Sequence, residues 1–387
     1  MHNQSDQKMT IGLDGRCLLD TNYTGVSEYT VAMIKKLLQD NPDKQIVIFL
    51  NSFKSYDIQR RLAWLRQYKN VQIKHYHIPS KFLNLSLWLF KFPKIDKMLG
   101  NVDVFIAPNI SFLAISRKTK FILTIHDLSF ERFKETFSWQ RRFWHFIINP
   151  RALCQQADKI WTVSHSTKWD LKSLYKISNN KIKVKPIVKE LKITSHKCKE
   201  DRLKRVQEKY NLPEKFILYL GTVEPRKNIV NLVRAFEYLK DNKNIDKKYK
   251  LIIAGQLGWQ YKSIITYIKQ SRFKNQIILT NFIDQKDKKC FYQLATVFVY
   301  PSLFEGFGIP VLEAMSNGTP VITSNNSSIP EVVERAGIMI NPDRVDDLID
   351  ALELIITDKK IREYYIKKGF KQAKKIIKRG REIKLLT

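Results

Sequence analysis

A chain of 387 residues exceeds what one hydrophobic core usually carries, so two domains are the starting expectation. With 44% hydrophobic, 12% aromatic and 27% charged residues the composition excludes a disordered chain; only a formal net charge of +31 is unusual. That excess favours an anionic partner such as a polyphosphate, a membrane surface or a nucleic acid, while a merely solvated lysine-rich surface accounts for it equally well. The lysines lie in short clusters, such as Lys247, Lys248 and Lys250, and no basic stripe emerges, so no nucleic acid is expected as a partner.

The first residues, Met1 to Lys8, are polar and lack the apolar core of a signal peptide. The cysteines, Cys17, Cys154, Cys198 and Cys290, have no paired spacing, which indicates neither a zinc site nor a disulfide framework and suits reduced thiols in a cytoplasm. No apolar run is long enough to span a bilayer. The segments 82–92 and 137–148 combine Leu83, Leu87, Trp88 and Phe90, or Trp139, Phe143 and Trp144, with Lys81, Lys91, Lys94, Arg141 and Arg142. Each suits an interfacial segment, although packing against a sheet is the ordinary expectation for either alone.

From residue 9 short apolar strands alternate with helical patterns: strands over 9–14, 45–50, 102–107, 121–125 and 159–163, and helices over 27–39 and 166–174. That rhythm predicts a parallel sheet with crossover helices. A lysine-rich stretch with little pattern, 181–202, follows, and the rhythm restarts with strands over 216–220, 251–254, 277–279, 297–300 and 321–323. The expectation is an α/β protein of two tandem Rossmann-like, doubly wound parallel-sheet domains, 1–190 and 191–387, joined near Pro186, with a ligand in the interdomain cleft.

Within the second half, Tyr219-Leu-Gly-Thr-Val-Glu-Pro-Arg-Lys-Asn228 reads as strand, turn and helix, with Arg226 and Lys227 at the turn. Fixed cations beside a helix N-terminus suit a diphosphate. Further on, Pro301 to Pro320 places Glu305 and Glu313 eight positions apart around Gly306-Phe307-Gly308-Ile309-Pro310. Glycines admit a ligand to the backbone, proline suits a first helical turn, and the N-H groups there attract anions. A carboxylate accepts hydrogen bonds from neighbouring hydroxyls, so Glu313 suits a ribose diol and Glu305 a sugar ring. The alternative for each acid is a solvated loop position or complementation of the helix dipole.

In the first half, Gly12-Leu-Asp-Gly-Arg16 ends a strand, the Thr24-Gly25 loop opens a helix, and Ile125-His126-Asp127 ends another strand. Gly25 can approach a phosphate and His126 can hydrogen-bond a ligand, each alone being weak. No pair of aspartates has the one-residue spacing that holds a divalent cation on a nucleotide sugar, so basic side chains must balance the diphosphate and no metal is expected. Nucleophile-elbow and phosphate-loop patterns are absent.

Together these residues resemble glycosyltransferase family 4, retaining enzymes of the GT-B fold. Ala314 to Ile322 follows the paired-glutamate signature, Gly221 to Asn228 resembles the Glu-Pro-Arg-Lys-Asn segment, and Ala157-Asp158 and Val163-Ser164 resemble elements that close the first domain. Asp14-Gly-Arg16, the Thr24-Gly25 loop and His126-Asp127 resemble the bacterial mannosyltransferase B-like branch of O-antigen assembly. The resemblance implies that Arg226 and Lys227 hold the donor diphosphate, Glu313 the ribose, Glu305 the donor hexose, His126 its hydroxymethyl side, and Gly25 the phosphates. It implies transfer of a hexose, mannose-like, from a nucleotide diphosphate sugar to a cell-surface or lipid-linked glycan, with peripheral contact at the inner face of an anionic membrane.

The sequence departs from the family at Ser27 and Glu28, where the branch often has a small residue and then Arg. It also lacks the Asn-Gly turn near 186–195 and the Phe-Ser-Trp element in 376–387. A basic lipid- or nucleic-acid-binding protein on the same scaffold, without transferase activity, is the alternative from another class.

Overall fold

In a computed structural model of the chain, residues 9–19, 25–53, 58–187 and 198–386 are described. They fall into two compact units: Met1–Phe130 with Trp139–Glu190 and Gly380–Thr387, and Glu131–Ser138 with Leu191–Arg379. Thr24, and the linker stretch from residue 188 to 195, lie outside the described residues.

The first unit is built on seven parallel strands: β1 (Thr10–Asp14), β2 (Gln45–Asn51), β3 (Val71–Tyr76), β4 (Val104–Ala107), β5 (Lys120–Ile125), β6 (Lys159–Thr162) and β7 (Ile182–Val184), in the order β3-β2-β1-β4-β5-β6-β7. Central strands such as Gln-Ile-Val-Ile-Phe-Leu-Asn of β2 are buried beyond their first residue, as expected where both faces of a sheet are covered. The helices needed later are α1 (Gly25–Asp40), α2 (Ser80–Leu89), α3 (Trp139–Ile148) and α4 (His165–Tyr175). In α1, Tyr29, Met33 and Leu37 recur every fourth residue, with Ile34 and Leu38 beside them, and all are buried.

Two short motifs of this unit have structural work. Asp158 accepts a hydrogen bond from the Phe121 N-H at 2.7 Å, tying the chain before β6 to the start of β5. Ser164 caps α4 by accepting from the Thr167 N-H at 3.1 Å. Ser27, where the sequence departs from the family pattern, is buried and donates to the Cys17 carbonyl at 2.9 Å.

The second unit has six parallel strands: β8 (Phe216–Leu220), β9 (Lys250–Ala254), β10 (Ile277–Asn281), β11 (Val297–Tyr300), β12 (Val321–Ser324) and β13 (Ile338–Ile340), in the order β10-β9-β8-β11-β12-β13. Its principal helices here are α5 (Ile229–Asp241), α6 (Lys288–Leu294), α7 (Ile309–Ser316) and the long terminal α8 (Lys359–Glu382). Beyond α8, Leu385 is buried.

Three strands depart from the sequence expectation. β3, β7 and β13 are all sheet edges. An edge strand pairs on one side only, so it is short or mixed in polarity, as in Val-Gln-Ile-Lys-His-Tyr of β3 and Ile-Lys-Val of β7. The stretch 181–202 is therefore not without regular structure.

The two segments with interfacial character also differ from ordinary sheet packing. α2 buries Leu83 and Leu87 but leaves Phe82, Leu85, Trp88 and Leu89 exposed; α3 buries Ile148 and exposes Trp139, Phe143, Trp144 and Phe146. No helix among the described residues is long and apolar enough to cross a membrane.

Candidate active site

In the second unit, β8 and β11 are neighbours in the sheet, so the turns that follow them meet although 78 positions separate Lys227 from Glu305. The Leu303 N-H donates to the Arg226 carbonyl at 2.9 Å, and the Arg226 guanidinium donates to the Phe304 carbonyl. The loop is held from the other side by Ser327 and Ser328: the Glu305 N-H donates to Ser327 Oγ at 3.0 Å, and Ser328 Oγ donates to the Glu305 carbonyl at 2.9 Å.

This clamp brings Arg226, Lys227 and Glu305 together. Lys227 Nζ donates to Glu305 Oε1 at 2.5 Å and to the Tyr300 hydroxyl at 2.8 Å, and Arg226 Nη1 lies 3.5 Å from Glu305 Oε2. Arg226 Nη2 also pairs with Glu224 Oε1 at 2.9 Å. Glu305 is 8% exposed and Lys227 6%, so Glu305 is not the solvated loop acid of the alternative reading. Burial opposes the charge on Glu305, but Lys227 and Arg226 outweigh it and hold the carboxyl below its ordinary range. Burial, with the neighbouring Arg226 charge, draws the Lys227 ammonium below the usual lysine value. Burial raises Glu224 against the pull of Arg226 and Lys227. An ammonium has three donors and Lys227 spends two on protein oxygens, which leaves one for a ligand.

Downstream, Gly306-Phe307-Gly308 leads into α7, with Gly308 as its N-cap at φ +94° and Pro310 in the first turn. A Cβ on Gly308 would sit 2.6 Å from Ile329 Cδ1, so only glycine serves this turn. The first-turn N-H groups of a helix have no intrahelical acceptors, and the N-terminus carries partial positive charge. The α7 N-terminus, opened by Ile309, thus follows four residues after Glu305.

Glu313 stands in the second turn of α7, not the first. It is buried, its Oε2 accepts from the Tyr292 hydroxyl at 3.0 Å and pairs with Lys288 of α6, and among the described residues its Oε1 has no hydrogen-bond partner. An acceptor oxygen oriented by two fixed donors on its sister oxygen suits a ligand hydroxyl.

His126 and Gly25 belong to the first unit. His126 follows β5 and its Nε2-H donates to the Pro108 carbonyl at 2.8 Å, its own carbonyl accepts from Thr167 Oγ1 at 3.0 Å, and the Tyr29 ring meets it edge-on at 4.8 Å. Burial lowers its proton affinity, against the pull of the Pro108 carbonyl and Asp127, so Nδ1 is an acceptor in the favoured neutral ring. Gly25 begins α1, and a Cβ there would meet no atom within 4 Å. Packing therefore does not demand glycine at this position. Nearby in sequence, Asp14 and Arg16 form a bidentate pair at 2.9 and 2.7 Å, and Arg16 also donates to Ser111 Oγ at 2.9 Å. A cavity of about 400 Å³ lies beside them, lined by Arg16, Asn51, Asn84, Ser111, Phe112 and Trp144, among others.

Residues 23–186 match the family model described as Glycosyltransferase Family 4, and residues 200–372 the one described as Glycosyl transferases group 1. The O-antigen chain mannosyltransferase B of Escherichia coli is 30% identical over 371 residues, which cover 91% of this chain and 92% of that protein. The chain belongs to the family 4 glycosyltransferases. The serotype-specific mannosyltransferase WbdA of Escherichia coli is 31% identical over 243 residues, 62% of this glycosyltransferase, which spans under a third of WbdA's own length, 29%. Two solved structures share its fold: Anabaena Alr3699/HepE in complex with UDP and glucose (TM-score 0.70, 15% identity, 95% of each chain) and the lipopolysaccharide glycosyltransferase WaaG (0.67, 11%, 95% of each). The glycosyltransferase thus consists of two parallel-sheet, Rossmann-like units of the GT-B fold. A binding protein without transferase activity is not favoured.

Several partners in this site were not apparent from the sequence. Glu224 has a signal, since it stands two residues before Arg226 in one motif. Tyr219 and Tyr300 have one too, as aromatics ending adjacent strands, where their rings stack at 5.9 Å. Lys288 and Tyr292 have none: they come from a separate short helix in a chain where lysine pairs abound.

Proposed function

We propose that this glycosyltransferase moves a hexose, mannose-like, from a nucleoside diphosphate sugar to a cell-surface polysaccharide or its lipid-linked precursor with retention at the anomeric carbon. The observation that carries the proposal is the ion-pair cluster of Arg226 with the buried Lys227 and Glu305, the last of which stands four residues before the α7 N-terminus. Two fixed cations and a helix end suit the two phosphates, so that no metal ion is needed to balance them. The mannosyltransferase names of the two Escherichia coli relatives support the choice of sugar.

In this mechanism Arg226, Lys227 and the N-H groups of Phe307, Gly308 and Ile309 receive the charge that grows on the departing diphosphate. The bond from the anomeric carbon to the phosphate oxygen breaks, and its electron pair leaves with the diphosphate. The acceptor hydroxyl adds on the same face and its proton passes to the leaving phosphate. Glu305, already ionised, accepts from hexose hydroxyls, and Glu313 Oε1 accepts from the ribose. In the first unit, His126 Nδ1 is left as an acceptor for a ligand hydroxyl, and Gly25 leaves the start of α1 open to a phosphate. Preorganised donors of this kind are each worth about 10²–10³ in kcat. The +31 charge supports peripheral contact with an anionic membrane at its cytoplasmic face.

Transfer from a panel of nucleoside diphosphate sugars, with the anomer of the product assigned by NMR, tests this for wild type and for Lys227→Ala, Glu305→Ala and Glu313→Ala. We expect a product of the donor's own anomeric configuration and losses of about 10²-fold or more in the variants. Undiminished transfer in all three would falsify the site assignment.

A further inference from the structure

Half of the exposed large hydrophobic side chains in the described residues fall in two short stretches of the first unit, 82–92 and 139–146. Their order is regular. On α2, Phe82, Leu85 and Leu89 recur at i, i+3 and i+7, and on α3, Trp139, Phe143 and Phe146 recur at i, i+4 and i+7. Each set therefore forms one stripe along its helix, and each points to solvent: Phe82 is 67% exposed and Phe146 80%. α2 meets its own unit through Leu83 and Leu87 on the other side, so the outward stripe is surplus to packing.

The two helices are neighbours. Ser80 and Asn84 of α2 and Trp144 of α3 line the same cavity, together with Arg16, Asn51 and Ser111. A cavity of mixed polar and apolar lining thus opens between two helices whose outer edges are apolar.

The charge beside these stripes has one sign. No acidic residue occurs between Asp57 and Asp96, or between Glu135 and Asp158, whereas Lys81, Lys91, Arg141 and Arg142 are all exposed. Outward Trp, Phe and Leu next to Lys and Arg, on helices lying flat on a folded body, is the chemistry of an interfacial segment on anionic lipid. A second copy of the chain would bring the same cations against one another. A nucleic acid would find Leu85 and Leu89 where a stacking ring is needed.

We propose that α2 and α3 form one docking face for an anionic lipid bilayer. This names the surface for the membrane contact of the functional reading. Docking itself is measured without donor or acceptor, so failure to dock and failure to transfer are separate results.

The test is sedimentation of the full chain with phosphatidylglycerol–phosphatidylcholine vesicles and with phosphatidylcholine alone, for wild type, Phe82→Ser/Phe146→Ser and Lys81→Glu/Arg142→Glu. These side chains are exposed, and circular dichroism checks that each variant is folded. We expect wild type to prefer the anionic vesicles, the double Phe variant to bind at least about tenfold more weakly, and the charge-reversal variant roughly tenfold more weakly. Emission from Trp88, Trp139 and Trp144 on this face shifts to the blue on binding. Equal binding by all three proteins, or none by wild type, overturns the proposal. So does a dimer, or tight binding to single-stranded RNA, that the double Phe variant abolishes while vesicle binding persists.

Discussion

Replacing Lys227 by methionine keeps the apolar stem and removes one charge from the buried cluster. The variant loses a hydrogen bond of 2.5 Å to Glu305 and one of 2.8 Å to Tyr300, while Arg226 stays 3.5 Å from the other carboxylate oxygen. Truncating one member of a buried pair costs about 3–5 kcal/mol when the other is left alone, and a hydrogen bond to a charged group is worth about 1.5–3. Because Arg226 still faces the carboxylate, the lower range applies, and we expect Lys227→Met to destabilise by about 2 kcal/mol. For a unit of this size that lowers the melting midpoint by roughly 4–8 °C.

Glu305→Gln leaves two cations facing Glu224 and costs a similar amount. In the double variant neither charge is stranded, so the cost falls short of the sum by about 1–3 kcal/mol. Sugar transfer is not restored, because the charge that stabilises the leaving diphosphate is still missing. Denaturation midpoints of the four proteins complete the cycle. Additivity within about 0.5 kcal/mol refutes the pairing. A pH series adds a sign. The Glu305 carboxyl is held below its ordinary value in the folded state, so its stabilisation is present above about pH 4.3 and is lost as pH falls through the folded value. Glu305→Gln flattens that slope.

Gly25→Ala changes stability by less than about 0.5 kcal/mol, since the added Cβ meets nothing, but lowers kcat/KM for the donor at least about tenfold if phosphate approaches this backbone. Unchanged transfer kinetics remove Gly25 from the site. His126 binds its proton less well folded than unfolded, so its contribution to stability is complete above about pH 6.5 and declines as pH drops toward the folded value. Denaturation midpoints measured from pH 7.5 to 5 show this decline for wild type, and His126→Gln loses it; identical profiles refute the neutral buried ring.

The central strands were readable because a strand covered on both faces must be apolar throughout, as in β2, β8 and β9. β3, β7 and β13 escaped because an edge has no such requirement. In the candidate site, the turn carrying Arg226 and Lys227, the loop carrying Glu305 and the helix carrying Glu313 were legible from Pro225, Gly306, Gly308 and Pro310. Their burial was not, because it depends on the approach of β8 and β11 and on serines at 327 and 328 that carry no signal of their own. Lys288 and Tyr292 reach Glu313 from α6. For 82–92 and 137–148 the apolar and basic residues left interfacial contact and ordinary sheet packing both open, and only the packed chain decides which side chains face solvent.

The most direct test of the donor site is a thermal-shift panel of nucleoside diphosphate sugars on wild type, Arg226→Ala and Lys227→Met, run with and without EDTA. A ligand that binds only the folded state at one hundred times its Kd adds about 2.7 kcal/mol. We predict that at least one nucleoside diphosphate sugar raises the wild-type midpoint, equally in EDTA, and that both variants lose the shift. No shift with any of these sugars, or a shift that survives both substitutions, contradicts the account.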